Sequence, residues 1–566
     1  MTVSMRVMSA GDGYKYLLKS VAAGDGDRSL STPLTRYYAE EGNPPGFWLG
    51  SGIAGFGEGE LAAHSEVSET QLQLLVGMGR DPLTGEPLGR AYQQFAPVAE
   101  RIEDRTKKLS PSLDPSYRAE LVAEIEAEEK ERGTRKAVAA FDYTFSVPKS
   151  VSAIWAVADA GTQSLIVAAH HAAVAELVEL IEQEVAATRV GATGNDGAVA
   201  QVDVLGVAAT AFDHYDSRSH DPQLHTHVVI SNKVKTAQDG KWRALDSRPM
   251  HRAVVAISEM YNAVLADHLT RTFGLEWETR DRGRDRNPAW EIAGVSDELI
   301  TEFSTRTKFI EVEKNLLIDA YVAKHGRQPS PRIVLKLRAQ ATLATRPEKD
   351  VRSLADLTAE WRQRATQVLG EDATTWTRVV ISSEVLPATV RADDLPLDVI
   401  EQIGWTVTMM VGEKRSTWTR WNLHAEASRQ LMGLRFASTM DRKAITGMVV
   451  DAAEQASLRL TPPELALSPA LFRRTDGSSR FRPYASTVFS SEDLLKAEDR
   501  LLARADKTTA PTIALETVEA ITRKPDKKGR SLGADQAAAL TAIAMSGRVV
   551  DVLVGPAGAG NTTCCV

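Results

Sequence analysis

The chain has 566 residues, of which 43% are hydrophobic and 25% are charged, and its formal net charge is −8 with a pI near 5.9. This length predicts two to four domains, and the acidic balance gives no bulk signal for nucleic acid, although the total would hide a basic groove on one face. The two cysteines, Cys564 and Cys565, exclude a disulfide framework and a cysteine-ligated zinc site and fit a reducing cytoplasm.

The N-terminal segment has no apolar signal core, and no run of about 18 apolar residues follows it, so we expect a soluble cytoplasmic protein without membrane insertion.

The first motif is "LTRYYAEEGNPPGFWLGSG", in which Tyr37 and Tyr38 follow Arg36 and precede a loop rich in glycine and proline. Adjacent tyrosines suit a core poorly, because one phenol must turn away from the other. Tyrosine is a nucleophile where a metal or a cation stabilises its phenolate, so the pair is a candidate, although such a pair alone is more often structural.

A charged, solvated helix is expected between residues 111 and 133, and we assign no chemistry to it. The run "KAVAAFDYTFSV" then predicts a strand that contains Asp142, which is disfavoured there unless it has a partner. Ser146 as N-cap and Pro148 in the first turn predict that a helix follows. Its N-terminus, with Lys149 close by, would suit a phosphate, but a plain strand–helix junction explains the pattern equally well.

A long helix is expected over residues 164–189, and the stretch "FDHYDSRSHDPQLHTHVVISNKV" comes after it. His225 and His227 are two apart in an apolar run that predicts a strand, so both imidazoles point to one face. His214 belongs to the neighbouring strand of a hairpin, and antiparallel pairing would bring it beside them. His220 is the competing third ligand, but it falls in the turn that Asp221-Pro222 predicts.

Three neutral imidazoles with open coordination positions suit a divalent cation that polarises a substrate oxygen. The sequence does not separate magnesium, manganese and zinc. A metal-bound histidine normally donates its other N–H to a carboxylate or carbonyl, and Asp142 is the candidate acceptor. The plain alternative is a His-x-His pair that is only exposed or hydrogen bonded.

A second long helix over residues 250–273 should end at Gly274 as C-cap. Helices then dominate to about residue 380, and a mixed region follows. The tail predicts a helix over 533–547, a buried strand over 548–555 and a loop, Gly555 to Thr562, with the spacing of a Walker A motif. Asn561 replaces the lysine that would neutralise the β- and γ-phosphates, so we expect no ATP hydrolysis. The degenerate nucleotide-binding set is Gln536, Gly555, Gly558, Gly560 and Thr562.

Taken together, "RYY" with "GFWLGSG", "FDYTFSVPKSVS" and "FDHYDSRSHDPQLHTHVVISN" resemble the motifs of the MobF class of conjugative relaxases, the TraI/TrwC type of relaxase-helicase. The last motif is the most specific of the three. The resemblance is strong over residues 1–310 and weaker beyond them. One departure concerns the tyrosines: many relatives carry two pairs near the N-terminus, whereas this chain has one pair plus Tyr14 and Tyr16.

The resemblance implies an α+β fold: an HUH endonuclease domain over residues 1–310 with a central antiparallel sheet and helices. A helical and mixed region over 311–515 would begin the helicase part, and 516–566 would be the truncated, RecA-like start of a superfamily 1 helicase. The resemblance selects His214 over His220 as the third ligand. It makes Asp142 the residue that orients a ligand histidine and accepts the tyrosine proton, and it makes Tyr37 and Tyr38 the nucleophile candidates. Arg36, beside the tyrosines, and Lys149, at the helix start, are the expected DNA contacts.

The implied activity is strand-specific nicking and rejoining of single-stranded DNA at a plasmid transfer origin, through a 5′-phosphotyrosine link and with a divalent metal. Accessory relaxosome proteins and a type IV secretion coupling protein are the implied partners. Three alternatives stay open: an HUH rolling-circle replication initiator, a non-catalytic DNA-binding remnant of a truncated relaxase-helicase, and a hydrolase that uses a metal-bound water. A covalent tyrosine product separates the relaxase from the last two.

Overall fold

The computed structural model describes residues 2–19, 21, 40–191, 198–283, 286–347, 350–381, 388–464, 468–474, 476–525, 529 and 531–554. Within these ranges the strands, in chain order, are β1 Val3–Ser9, β2 Phe47–Leu49, β3 Val138–Ser146, β4 Ala187–Gly191, β5 Val199–Asp203, β6 Ala209–Asp216, β7 Pro222–Ser231, β8 Lys233–Lys235, β9 Trp242–Ala244, β10 Trp277–Arg280, β11 Ala289–Ile292, β12 Leu458–Arg459 and β13 Phe489–Ser490.

The α-helices of the same ranges are α1 Lys15–Leu18, α2 Glu69–Leu72, α3 Val98–Lys107, α4 Pro115–Arg132, α5 Lys149–Val157, α6 Ala160–Leu180, α7 Ser247–Phe273, α8 Asp297–Glu302, α9 Thr305–His325, α10 Pro331–Ala344, α11 Leu354–Leu369, α12 Ala373–Ile381, α13 Leu397–Gly412, α14 Arg420–Gln430, α15 Thr439–Gln455, α16 Glu492–Ala505, α17 Leu515–Thr522 and α18 Ala534–Ser546. A 3₁₀ turn, Asp12–Tyr14, leads into α1, and a π-helical turn, Ile181–Val185, extends α6.

Five strands form the central sheet in the order β1-β3-β7-β6-β2, and every neighbouring pair is antiparallel. Because side chains alternate along a strand, each strand presents one set to either face. One face carries Tyr143, Phe145 and Val228, which are fully buried against α5, α6 and α7. The expected α+β fold with a central antiparallel sheet is confirmed.

The opposite face of the sheet is divided into two halves. Its apolar half, which includes Met8, Phe212 and Val229, is covered by the N-terminal segment with Tyr14 and Leu17. The other half bears polar side chains and borders a cavity. Packing thus closes one half of this face and leaves the histidine-bearing half accessible.

The main hydrophobic core crosses the domain boundary expected at residue 310. Trp361 of α11 and Trp421 of α14 belong to the same buried cluster as Trp155 of α5. A separate cluster holds α13, α14 and α15 together around Val407, among other residues. The boundary stays a prediction, but in the described chain the sheet and the helices after it share one core.

Both long helices form where the sequence predicts them. Helix α7 ends at Gly274, whose φ of 68° is the left-handed conformation expected of a glycine C-cap. Helix α6 ends earlier than expected, because its π-helical turn closes at Val185 and residues 187–189 already belong to β4. By length and composition alone the segment Ala160–Val185 could cross a membrane, but 56% of its apolar window is buried inside the fold, as in a core helix.

Two further expectations are wrong. Ser146 is the last residue of β3 and does not cap α5; Pro148 occupies the N-cap and no side chain caps that end. The strand expected over 548–555 does not form in its described part, residues 548–554, where Val552 and Val554 are 79% and 87% exposed. A strand needs a neighbour along its length for its backbone hydrogen bonds, whereas this stretch makes a single one to another described segment, from the amide of Val549 to the carbonyl of Lys507 at 2.9 Å.

Candidate metal centre

Strand pairing brings three histidines together on the open half of the sheet. His214 of β6 lies directly opposite His225 of β7, and His227 follows two residues later on the same face. Their ring centroids are 4.9 to 5.4 Å apart, and each can offer a ligand nitrogen within 4.8 Å of the others. Three nitrogens bound at about 2.1 Å to one tetrahedral ion lie about 3.4 Å apart. Closure of the three rings by up to about 1.4 Å would therefore seat a divalent cation.

Hydrogen bonds made by the rings of His225 and His227 determine which nitrogen of each ring is left to face the metal. His225 donates from Nδ1 to the carbonyl of Gln223 at 2.7 Å, so its Nε2 is left for a ligand bond. Burial and the neighbouring His227 lower the pKa of His225 to about 4. A neutral imidazole is the form that binds a metal. The donor set therefore fits a divalent ion.

Asp142 lies behind the cluster and connects two groups. Its carboxylate oxygens are 2.9 and 3.0 Å from Nδ1 of His227, which leaves Nε2 of that ring for the metal. Asp142 also accepts a hydrogen bond from the hydroxyl of Tyr16. The carboxyl-bearing residue is 4% exposed, and Thr144 adds a contact of 3.2 Å to the same ring nitrogen. The role expected for Asp142, orienting a ligand histidine, matches this arrangement.

Tyr16 is the functional candidate that sequence reasoning did not select. Tyr14 and Leu17 are buried in the apolar half of the face, and they anchor the short helix that carries Tyr16. The Tyr16 ring lies edge-on to His227 with centroids 6.1 Å apart and is 40% exposed. Burial and the charge of Asp142 raise the pKa of this phenol far above its ordinary value, so it is protonated at neutral pH. The feature of the sequence that points to Tyr16 is its position shortly after β1, because Arg6 of that strand lies opposite Asp142 of β3.

The three histidines, Asp142 and Tyr16 line one cavity of about 1120 Å³. Six basic side chains surround it: Arg6, Lys19, Lys136, Arg218, Arg306 and Arg346. Burial and the charges of Arg346 and Arg306 lower the pKa of Arg218, which reflects how close the three guanidinium groups lie. These six outnumber the aspartates that also line the cavity, Asp12, Asp142, Asp216 and Asp350, and a net positive charge suits a polyanion although the chain as a whole is acidic.

A buried hydrogen-bond network lies on the reverse face, behind the cluster. Tyr261 donates to Nδ1 of His170 at 2.7 Å, and Nε2 of His170 donates to Thr226 at 2.8 Å. Thr226 in turn donates to Asp213 at 2.5 Å, and His171 completes the network at 2.9 Å from the same carboxylate. Burial lowers the pKa of His170 to about 3, so that ring is neutral.

The other expected residues are placed as follows. Arg36, Tyr37 and Tyr38 lie outside the described residues, as does the loop Gly555–Thr562. His220 borders the cavity but bonds to Asp216 at 2.7 Å and does not join the three ligands. Gln536 caps the start of α18 by accepting from the backbone of Gly533 at 3.0 Å.

Lys149 does not line the cavity. Its ammonium group donates to the carbonyl of Pro222 at 2.7 Å, where β7 begins. Burial lowers the pKa of Lys149 to about 8. The DNA contact expected for this lysine stays a prediction, and its placement supports a structural role at the start of β7.

Three imidazoles around one point, with a carboxylate behind one of them and a phenol beside it, form a candidate metal centre on the sheet with a tyrosine within reach. The model of the TrwC relaxase family matches residues 10–368. The chain belongs to the TrwC relaxase family, and the resemblance to MobF-class relaxases in its motifs is confirmed.

Two curated relatives, both named multifunctional conjugation protein TraI, come from Escherichia coli and from its strain K12. They are 32% and 30% identical over 187 and 232 residues, which cover 31% and 39% of this chain. The aligned part spans 10% and 11% of those proteins, about a tenth of their length. Two solved structures of the conjugative relaxase TrwC in complex with oriT DNA, copper-bound and metal-bound, are 25% and 24% identical, with TM-scores of 0.44 and 0.43. Both cover 66% of this chain and 99% of their own.

Proposed function

We propose that this chain is a metal-dependent DNA relaxase that nicks and rejoins single-stranded DNA at a plasmid transfer origin. One observation carries the proposal: the Asp142 carboxylate bonds both to a phenol, Tyr16, and to His227 of the histidine cluster. A hydrolase that relies on a metal-bound water has no need of a phenol in this place. Membership of the TrwC relaxase family supports the same reaction.

His214, His225 and His227 would hold the metal, and a bound divalent ion would supply neutralisation of charge on the non-bridging oxygens of the scissile phosphate. Asp142 fixes the orientation of one ligand ring and accepts the hydroxyl proton of Tyr16. The raised pKa of this phenol makes such a base necessary at neutral pH. The basic side chains that line the cavity would contact the phosphates of the bound strand.

In the reaction the Tyr16 oxygen attacks phosphorus in line and its proton passes to Asp142. The bond between phosphorus and the 3′ oxygen breaks, and this oxygen takes up a proton to become the 3′-hydroxyl. The 5′-phosphate stays on the tyrosine as a diester. One phosphodiester replaces another, so the step is nearly isoenergetic and reverses when the 3′-hydroxyl returns. Tyr37 and Tyr38 remain the second candidate pair, for this step or for a second transfer.

The test incubates the purified chain with single-stranded oligonucleotides from its own plasmid and Mg²⁺ or Mn²⁺. A denaturant-resistant protein–DNA complex is the expected product. Tyr16→Phe should abolish this complex and leave oligonucleotide binding intact. The matched change Tyr14→Phe, at a buried ring two residues away, should still form the complex. If Tyr16→Phe still forms the adduct and the Tyr37→Phe/Tyr38→Phe double variant does not, the nucleophile belongs to that pair and not to Tyr16. Nicking without any covalent product would reject the relaxase.

We infer the remaining properties from the sequence. Asn561 in place of the Walker A lysine supports a chain that does not hydrolyse ATP. A DNA-stimulated release of phosphate by the purified chain would contradict this. Accessory relaxosome proteins and a type IV secretion coupling protein are the proposed partners, in the cytoplasm. Cleavage at a replication origin in place of a transfer origin would identify a rolling-circle initiator.

A further inference from the structure

The nicking reaction moves two protons, and the residues around the histidine cluster account for only one of them. Asp142 takes the proton of Tyr16, to which it is already hydrogen bonded. The 3′ oxygen needs a second proton as its bond to phosphorus breaks. An alkoxide is a poorer leaving group than a phenolate, so an acid placed at the 3′ oxygen would lower the barrier to nicking.

His220 is an imidazole that borders the same cavity and lies outside the set of three ligand histidines. It belongs to the turn between β6 and β7, and its side chain is 22% exposed. Its Nδ1 donates to the carboxylate of Asp216 at 2.7 Å, so Nε2 is the nitrogen left for proton transfer. A carboxylate in this position fixes the orientation and the tautomer of a catalytic imidazole.

The turn that carries His220 is held in one conformation. His220 has a φ of 56°, in the left-handed region that few residues other than glycine adopt. Its amide donates to the carbonyl of Ser217 at 2.9 Å, and its carbonyl accepts from the indole of Trp361 at 2.7 Å. An uncommon backbone conformation that the surrounding structure fixes from several sides is a feature of active-site residues.

The place of His220 suits the leaving oxygen, because the histidine cluster lies between it and Tyr16. The Tyr16 ring lies beside His227. Along the paired strands His214 is nearer the turn than His227, and Asp216, whose carboxylate holds His220, is two residues or about 7 Å further. The entering and leaving oxygens of an in-line displacement lie on opposite sides of phosphorus. A phosphate over the cluster that Tyr16 attacks therefore expels its 3′ oxygen toward the turn.

The charged groups around His220 leave it as the proton donor on this side of the cavity. Two carboxylates face the ring, Asp216 at Nδ1 and Asp350 at 3.9 Å from Nε2. An ionised carboxylate has no proton to give, and an arginine does not release its own. Imidazole both gives and takes a proton near neutral pH. The guanidinium groups that line the cavity with it, and that suit the phosphates of the leaving segment, are Arg218, Arg306 and Arg346.

We propose that His220 is the general acid of nicking and the general base of rejoining, an inference that rests on the relaxase function proposed above. As Tyr16 attacks and its proton passes to Asp142, the bond between phosphorus and the 3′ oxygen breaks. Nε2 of the His220 imidazolium donates its proton to that oxygen, and the ring is left neutral with Nδ1–H still bonded to Asp216. In rejoining, Nε2 takes this proton back from the 3′-hydroxyl as the oxygen returns to phosphorus, and the phenol recovers its own proton from Asp142.

The test compares two oligonucleotides that differ in one atom. One is the natural cleavage strand, and in the other sulfur replaces the 3′-bridging oxygen of the scissile phosphate. Thiols are stronger acids than alcohols, so a thiolate leaves without a proton and the sulfur strand has no need of a general acid. The measurement is the single-turnover rate at which the full chain forms the covalent adduct with each strand in the presence of Mn²⁺.

His220→Asn should slow adduct formation on the natural strand at least about 100-fold and leave the rate on the sulfur strand within about threefold of the wild type. Asparagine tolerates the left-handed backbone conformation. Mn²⁺ affinity should stay unchanged, because His220 is not a ligand. His64→Asn is the matched control, since His64 has a similar φ of 63° and does not line the cavity, and it should change neither rate.

Equal slowing of both strands in His220→Asn would overturn the proposal, because a residue that only positions the DNA or supports the turn acts on both alike. An unchanged rate on the natural strand or a lower Mn²⁺ affinity would overturn it as well.

If asparagine unfolds the chain, the pH profiles of the wild type decide. The rate on the natural strand should fall as the pH rises above neutral and the imidazolium is depleted, and the sulfur strand should not show this fall. Coincident profiles would overturn the proposal. A wild type that forms no adduct with either strand would contradict the relaxase function itself, and this inference with it.

Discussion

Replacing Thr226 with valine tests whether the network behind the sheet stabilises the strands that carry the histidines. Valine has nearly the same shape but lacks the hydroxyl, which accepts from His170 at 2.8 Å and donates to Asp213 at 2.5 Å. Thr226 and His170 are 0% exposed, so water cannot replace the lost partner. Since Thr226 lies between His225 and His227, any shift of the strand moves both ligands.

The expected cost follows from these contacts. An unpaired, fully buried N–H on His170 costs about 1 to 3 kcal/mol, and the lost hydrogen bond to the Asp213 carboxylate about 1.5 kcal/mol or more. His171 still pairs with Asp213, which limits the damage. We expect Thr226→Val to lower the free energy of unfolding by about 3 kcal/mol, measured by urea denaturation with circular dichroism.

Thr226→Ser is the matched control, because it keeps the hydroxyl and removes one methyl group at a cost of about 1 kcal/mol. Serine should also preserve Mn²⁺ affinity in calorimetric titration, whereas valine should weaken it. A valine variant within about 0.5 kcal/mol of the wild type, or a serine variant that is less stable than valine, would refute this account of the network.

Three other predictions concern single groups. Asp142→Asn leaves one amide oxygen to serve both His227 and Tyr16, so calorimetry should show Mn²⁺ affinity about 10- to 100-fold lower; an unchanged affinity would remove Asp142 from the site. Since the pKa of His424 is about 3 and that of an unfolded histidine about 6.5, the unfolded state binds more protons below pH 6.5. At pH 5 this histidine should therefore lower the free energy of unfolding by about 2 kcal/mol, and His424→Leu should abolish this contribution. The pKa of Lys149 is lowered to about 8, so between pH 8 and pH 10 the unfolded state again binds more protons than the folded state. The free energy of unfolding should therefore rise by about 2 kcal/mol from pH 8 to pH 10. Urea denaturation should show this rise in the wild type and not in Lys149→Met.

The histidine cluster was predictable because the information needed for it is local. Alternation along β7 alone places His225 and His227 on one face, and a short hairpin leaves His214 few positions other than the one opposite them. Asp142 followed from the cost of a carboxylate in a buried strand, which requires a partner. Each of these inferences needs only the neighbouring strand to be correct.

Tyr16 was not predictable in the same way. Its position depends on Tyr14 and Leu17 docking onto the apolar half of the sheet, which includes Phe212 of a strand about 200 residues later in the chain. No local pattern encodes that contact. The end of α6 and the absent strand over 548–554 have a related cause, because a strand forms only where a partner strand is present.

One face of β7 carries the candidate metal ligands, and the other face anchors the strand in the core. The face with His225 and His227 must stay accessible and partly hydrated, which leaves little hydrophobic burial to hold it rigid. The opposite side chains, Leu224, Thr226 and Val228, are fully buried, so the same strand is fixed from behind by packing and by the His170 network. A one-residue slip of β7 would exchange the two sets, exposing the apolar side chains and burying the imidazoles. The burial that stabilises the core therefore also fixes the register in which the ligands meet.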